Sequence, residues 1–207
     1  MNPVRIAILT FDGFNELDSI IALGILNRAR QPGWRIEICS PTADVTSMNG
    51  VRLQSHCLLA EAGDADAVIV GSGIRTREIA QSAELLASLR LDPARQLIGA
   101  QCSGTLLLAK LGLLTNIPAC TDLISKPWVQ AAGVEILEQP FFARGNVATA
   151  GGCLSSQYLA AWVLARTVGE SAARSALHYV APVGEKEEYV ERAIRNVAPY
   201  LPAARTS

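Results

Sequence analysis

The stretch Leu97-Ile98-Gly99-Ala100-Gln101-Cys102-Ser103-Gly104-Thr105-Leu106-Leu107-Leu108-Ala109-Lys110 decides the fold. An apolar run short enough for a strand passes into a leucine-rich helical run, with one cysteine at the junction. Ala100 and Gly104 stand two residues to either side of Cys102. That is the spacing of a nucleophile elbow, a turn too tight for large neighbours, here carrying sulfur where such turns usually carry a serine oxygen. Such a turn exposes its nucleophile at the carboxyl end of a sheet beside a helix N-terminus. The helix dipole there is expected to lower the pKa of the thiol.

Outward from the elbow, short β-rich runs alternate with amphipathic stretches. Strands are expected near 4–10, 34–40, 67–70 and 95–101, with helices near 16–30, 76–90, 103–114 and 154–168, and two shorter helices after Gly169. The face of the first helix is read as Leu17, Ile20, Ile21, Ile25 and Leu26. Strand–helix alternation predicts βαβ units and a single-domain α/β three-layer sandwich over residues 1–207. Its sheet is mostly parallel with helices on both faces, flavodoxin-like. Asn49-Gly50 between two short β-rich segments predicts a hairpin. Pro199 to Ser207 reads as a flexible tail.

Composition removes several classes of function. Eighteen basic and nineteen acidic residues are mixed along the chain, net charge −1, so neither a nucleic-acid surface nor an acidic tail is indicated. No apolar run spans a bilayer and no secretory signal is read, so a cytoplasmic location is expected. The five cysteines have no CxxC pair, and an odd count with scattered spacing argues against a disulfide framework. With His56 and His178 the only histidines, no metal site is expected.

Three segments accompany the elbow. Gly71-Ser72-Gly73 ends a buried strand, and the amides of Gly73 and Ser103 are candidates for a two-donor oxyanion hole. Asp18, in the Asn15-Glu16-Leu17-Asp18 helix start, would bring a carboxyl group to the same sheet edge as a proton donor and acceptor; Asp12 and Glu16 read as ordinary acids of a loop and first helical turn. Gly151-Gly152-Cys153 opens the long helix, with Cys153 near the pocket and not the nucleophile. The Ser103 hydroxyl either orients substrate or, more simply, caps the helix. Asp122 reads as a turn or capping aspartate, and His56 or His178 would be needed for a Cys–His pair.

Taken together, the Glu16-Leu17-Asp18 opening, the strand ending at Gly73, the Ala100-Gln101-Cys102-Ser103-Gly104-Thr105 elbow and Thr149-Ala150-Gly151-Gly152 resemble the ThiJ/PfpI family of class I amidotransferase-like folds. Within it the chain is most similar to isonitrile hydratases, on the Leu17-Asp18 pair and the hydroxyl residue Ser103 after the cysteine. The resemblance implies Cys102 as nucleophile, Asp18 as acid/base partner and Ser103 as a substrate-orienting group. It also implies a homodimer acting on a small molecule without cofactor or metal. The expected reaction is isonitrile hydration, a carbon–nitrogen lyase activity. The alternatives are glyoxalase- or deglycase-like chemistry on small carbonyls, or a non-catalytic redox or metabolite sensor. Two departures stand out: Gly71-Ser72-Gly73 replaces the usual Pro-Gly-Gly, and Cys120-Thr121-Asp122-Leu123 lacks the histidine or tryptophan of many relatives.

Overall fold

The computed structural model describes residues 4–29 and 31–202. Nine strands form: β1 (Arg5–Leu9), β2 (Arg35–Ser40), β3 (Asp44–Thr46), β4 (Arg52–Gln54), β5 (Cys57–Leu58), β6 (Ala67–Val70), β7 (Leu97–Gln101), β8 (Phe141–Arg144) and β9 (Val147–Ala150). Seven of them make one sheet in the order β5-β2-β1-β6-β7-β9-β8. All neighbours are parallel except β8, which returns antiparallel to β9 through the Arg144-Gly145-Asn146 turn. β3 and β4 form the separate hairpin expected around Asn49-Gly50.

The helices are α1 (Glu16–Leu26), α2 (Thr76–Ile79), α3 (Ala83–Ser88), α4 (Gly104–Lys110), α5 (Lys126–Ala131), α6 (Ser156–Thr167), α7 (Glu170–Val180) and α8 (Lys186–Val197). Strand side chains alternate between the two faces, so the sheet has two cores. Ile6, Ile8, Ile38 and Ile69 face α1, α6, α7 and α8 around Trp162 and Leu159. Ala7, Leu9, Val68, Val70 and Ile98 face the other side, against Leu107 and Leu108 of α4 and Val129 of α5. This is a three-layer α/β sandwich.

Several local expectations are corrected. The 76–90 stretch is two helices, because Ser82 restarts the chain by accepting from the Leu85 amide as an N-cap. α1 is rotated from the expected face: Asp18, Ser19, Ala22, Ile25 and Leu26 are buried, while Leu17 and Ile20 are exposed. Residues 18, 22, 25 and 26 share one stripe at helical spacing, and that stripe meets the sheet. The expected tail begins in structure: Tyr200, at the end of a 3-10 turn, stacks edge-on against Phe141 and Phe142. Residues 203–207 of that tail lie outside the described residues. Among the described residues there is no disulfide framework, but one bridge not expected from the sequence forms. Cys39 and Cys57 are directly opposite in the parallel β2–β5 pair, 4.7 Å apart at Cα, and are bridged. Nothing in a spacing of 18 residues announces that register.

The order β2-β1-β6-β7 makes the junction of β1 and β6 a topological switch point, where crossovers leave for opposite directions along the sheet. Loops at the carboxyl ends of strands open a crevice there. The elbow helix reaches it through close backbone packing: a Cβ on Gly104 would lie 2.6 Å from the carbonyl oxygens of both Val70 and Gly71. Gly104→Ala must push α4 off the end of β6. We expect a loss of about 1–3 kcal/mol, read as a lower urea midpoint.

Candidate active site

Four segments converge at the carboxyl edge: the loop after β1, the Gly71–Gly73 turn after β6, the elbow after β7 and the Gly151–Cys153 turn after β9. Backbone pairing closes the first two on each other. The Asn15 amide donates to Ser72 O at 2.9 Å, and Phe14 bridges Gly73. A Cβ on Gly73 would lie 2.4 Å from Gly13 O, so only glycine permits this approach. Asp12 and Glu16 serve the β3–β4 hairpin. Asp12 Oδ1 accepts from the Thr46 amide at 2.9 Å, and Glu16 accepts from Ser47 and Asn49.

Cys102 has φ 47°, the left-handed region that an elbow forces on a non-glycine residue. The surrounding backbone holds it there. Its amide donates to Ala150 O at 2.8 Å, and its carbonyl accepts from Thr121 Oγ1 at 2.8 Å. Cys102 lines a cavity of about 370 Å³ with Asn15, Ile74, Asp122, Trp128 and Cys153. Cys102 is only 4% exposed, and the cavity is where that exposure lies open to a small molecule.

Asp18 stands behind this pocket, fully buried. A carboxylate oxygen of Asp18 and the sulfurs of Cys102 and Cys153 lie within 4.8 Å of one another. Asp18 Oδ2 accepts from the Ser72 hydroxyl, while Oδ1 has no hydrogen-bond partner. Burial raises the Asp18 pKa, opposed chiefly by the hydrogen bond from Ser72 and less by the nearby Cys102 and Cys153 thiols.

The thiol's pKa is opposite to the expected direction. Burial pushes the Cys102 thiol well up, and the nearby Asp18 charge adds to the rise. α4 is only seven residues long, and its dipole does not offset desolvation plus an adjacent carboxylate. Cys153 is raised for the same two reasons in the same order. Cys120, buried away from the pocket, is pushed up to about 12 by burial.

The oxyanion-hole candidates are rearranged. The Gly73 amide is not free, since it donates to Thr76 Oγ1 at 3.2 Å and to Ser103 Oγ at 3.3 Å. Ser103 does not cap α4 with its side chain. Its hydroxyl lies 2.8 Å from Thr76 Oγ1, within a cluster that ties the elbow to the β6 turn. The Ser72 hydroxyl donates to Asp18, and Ser72 lines the pocket. Gly71 packs beneath, where a Cβ would lie 2.8 Å from Leu9 O. Gly152 turns its carbonyl to accept from Gln101 Nε2 at 2.7 Å, and that same amide nitrogen is 3.5 Å from Cys102 Sγ.

Asp122 does cap locally, accepting from the Ile124 and Ser125 amides at 2.9 Å, and also lines the pocket. Neither histidine joins the site. His56 Nδ1 accepts from the Ile38 amide at 2.9 Å, and His178 faces Glu187 on the helical layer. Sequence reasoning missed Thr76, Gln101 and Asn15. Asn15 alone left a signal, as the N-cap of α1, and its Nδ2 donates to Cys153 Sγ at 3.1 Å.

The profile of the DJ-1/PfpI family matches residues 4–166. No curated protein matches the chain in sequence. Among solved structures, Schizosaccharomyces pombe DJ-1 superposes with a TM-score of 0.75 at 18% identity, covering 86% of this chain and 100% of that one. A ThiJ/PfpI family protein from Pseudomonas syringae gives 0.76 at 20% identity, over 96% and 89%. An AraC family transcriptional regulator from Pseudomonas putida gives 0.73 at 18%, over 86% and 100%. At these identities the likeness is one of fold.

Proposed function

Because the chain belongs to the DJ-1/PfpI family, we propose that it is a cysteine-dependent enzyme that hydrates an isonitrile to an N-substituted formamide. The observation that carries the reading is the Asp18–Cys102 pair, a buried carboxyl group beside a pocket-lining cysteine, with no histidine among the described lining residues.

A thiol with a raised pKa is a poor standing thiolate, so its proton must leave as the sulfur bonds. The terminal carbon of R–N≡C takes both partners: its lone pair accepts a proton, and the carbon then accepts sulfur. The Asp18 carboxylate takes the thiol proton and passes it to that carbon while Cys102 Sγ forms the C–S bond. The product is a thioimidate, R–N=CH–S–Cys102. Water adds to its carbon, the C–S bond breaks and the thiol recovers its proton, leaving R–NH–CHO. Burial raises the Asp18 pKa toward the working range of a group that must both accept and donate.

The pocket wall supports a neutral, largely apolar substrate. Ile74, Ile124, Met48 and Trp128 line it. Among the described lining residues there is no Lys, Arg or His to bind a charged group. Carbonyl chemistry through a hemithioacetal would call for a histidine beside Cys102, and both histidines are held elsewhere. The proposal includes a homodimer, supported by the exposed apolar side chains Leu17, Ile20 and Leu154 on α1 and the adjoining turn. Sedimentation tests this by returning a mass of two chains or one. The reaction is tested with cyclohexyl isocyanide, methylglyoxal and glutamine as a panel. Formamide from the isocyanide alone is the expected result, and turnover of methylglyoxal in its place would refute the proposal.

A further inference from the structure

We infer that Asp18, Cys102 and Cys153 together bind one thiophilic metal ion, Zn²⁺ or a comparably soft divalent cation. This goes beyond the reaction above and does not depend on it.

The three ligand atoms lie within 4.8 Å of one another. Around zinc, sulfur and carboxylate oxygen bond at about 2.0–2.3 Å, so a tetrahedral ion draws the three in by at most about an ångström. Separate from this spacing, Asp18 is fully buried and its Oδ1 has no hydrogen-bond partner. A buried carboxylate oxygen without a partner is costly, and a cation is the partner that suits it. Its other oxygen is held by Ser72, which fixes the carboxylate plane.

The surroundings favour a cation. Asp122 places a carboxylate on the pocket wall, and no described lining residue is basic. Each sulfur also has an amide donor: Asn15 Nδ2 at 3.1 Å from Cys153 and Gln101 Nε2 at 3.5 Å from Cys102. Such outer contacts orient thiolate ligands. Two sulfurs and one oxygen select a soft or borderline ion over Mg²⁺ or Ca²⁺. Three protein ligands would leave a fourth position for water or a small molecule. Binding releases the two thiol protons and occupies the Cys102 lone pair, so metal binding and nucleophilic attack exclude each other. The sequence hides the site because its ligands come from three segments distant along the chain: the start of α1, the elbow and the 3-10 turn before α6.

The test is a Co²⁺ titration under inert gas with the Cys39–Cys57 bridge closed, read by the sulfur-to-cobalt charge-transfer band, followed by Zn²⁺ displacement. We expect one equivalent per chain. Cys153→Ser should lose about half the band intensity, and Cys153→Ser and Asp18→Asn should each bind at least about tenfold more weakly. Cys120→Ser should bind as wild type. The unmodified protein gives an arm that needs no variant: Zn²⁺ must protect both Cys102 and Cys153 from iodoacetamide. No charge-transfer band, wild-type affinity in Cys153→Ser or Asp18→Asn, or alkylation of Cys153 indifferent to Zn²⁺ would overturn the inference. None of these readouts involves turnover, so failure here leaves the proposed reaction standing, and failure of that reaction leaves this site standing.

Discussion

Cys102→Ala is expected to lower kcat for isocyanide hydration by at least about 10,000-fold, the scale on which removal of a covalent nucleophile is felt. No other sulfur substitutes for it. Cys153 opens a 3-10 turn before α6, off the strained elbow, and Cys120 is buried away from the pocket. Alanine keeps the Cβ and the φ of 47° that the elbow imposes, so the fold should persist. Circular dichroism and a melting curve separate loss of chemistry from loss of structure. A variant that hydrates isocyanide at the wild-type rate would show that the sulfur is not the nucleophile.

Asp18→Asn is expected to cost about 100–10,000-fold in kcat, since an amide accepts and returns no proton. The same change should stabilise the protein at neutral pH. Burial raises the Asp18 pKa above the ordinary 3.8 of an aspartate. Between the unfolded and folded pKa values, the folded state therefore binds more protons, and stability falls as pH rises through that window. Asparagine has no such penalty. Its melting temperature should exceed that of the wild type at pH 7, and the gain should disappear as the pH falls to 3.8. An activity loss joined to a stability gain marks a carboxyl group retained for chemistry. Equal melting temperatures at both pH values would argue that Asp18 is not strained by its burial.

The sheet and the elbow were legible because both are local patterns. Alternating runs fix strands and helices, and small residues two positions either side of Cys102 fix the turn. The Asn49-Gly50 hairpin was legible for the same reason. Asp18 could be read as a neighbour of the thiol because β1, β6 and β7 are adjacent parallel strands, so their following loops share one edge. What depends on contacts between loops was not legible. The Gly73 amide is engaged by Thr76 and Ser103, from two other segments. The sign of the thiol shift depends on how deep the sulfur sits and how near the carboxylate comes, neither of which spacing reveals. The Cys39–Cys57 bridge follows from the β2–β5 register, and β5 is only two residues long. The exposed Leu17 and Ile20 show the same limit: a helix start carries apolar residues on more than one face, and only packing selects the stripe through Asp18 and Ala22.

The central claim is that the Cys102 sulfur bonds to substrate carbon while Asp18 moves the proton. Acid-quenched mass spectrometry during turnover of cyclohexyl isocyanide, followed by peptide mapping, tests it directly. The account predicts the whole mass of the isocyanide added to the peptide containing Cys102. It also predicts no adduct in Cys102→Ala and slower adduct formation in Asp18→Asn. Full formamide production with the Cys102 peptide unmodified throughout would contradict it.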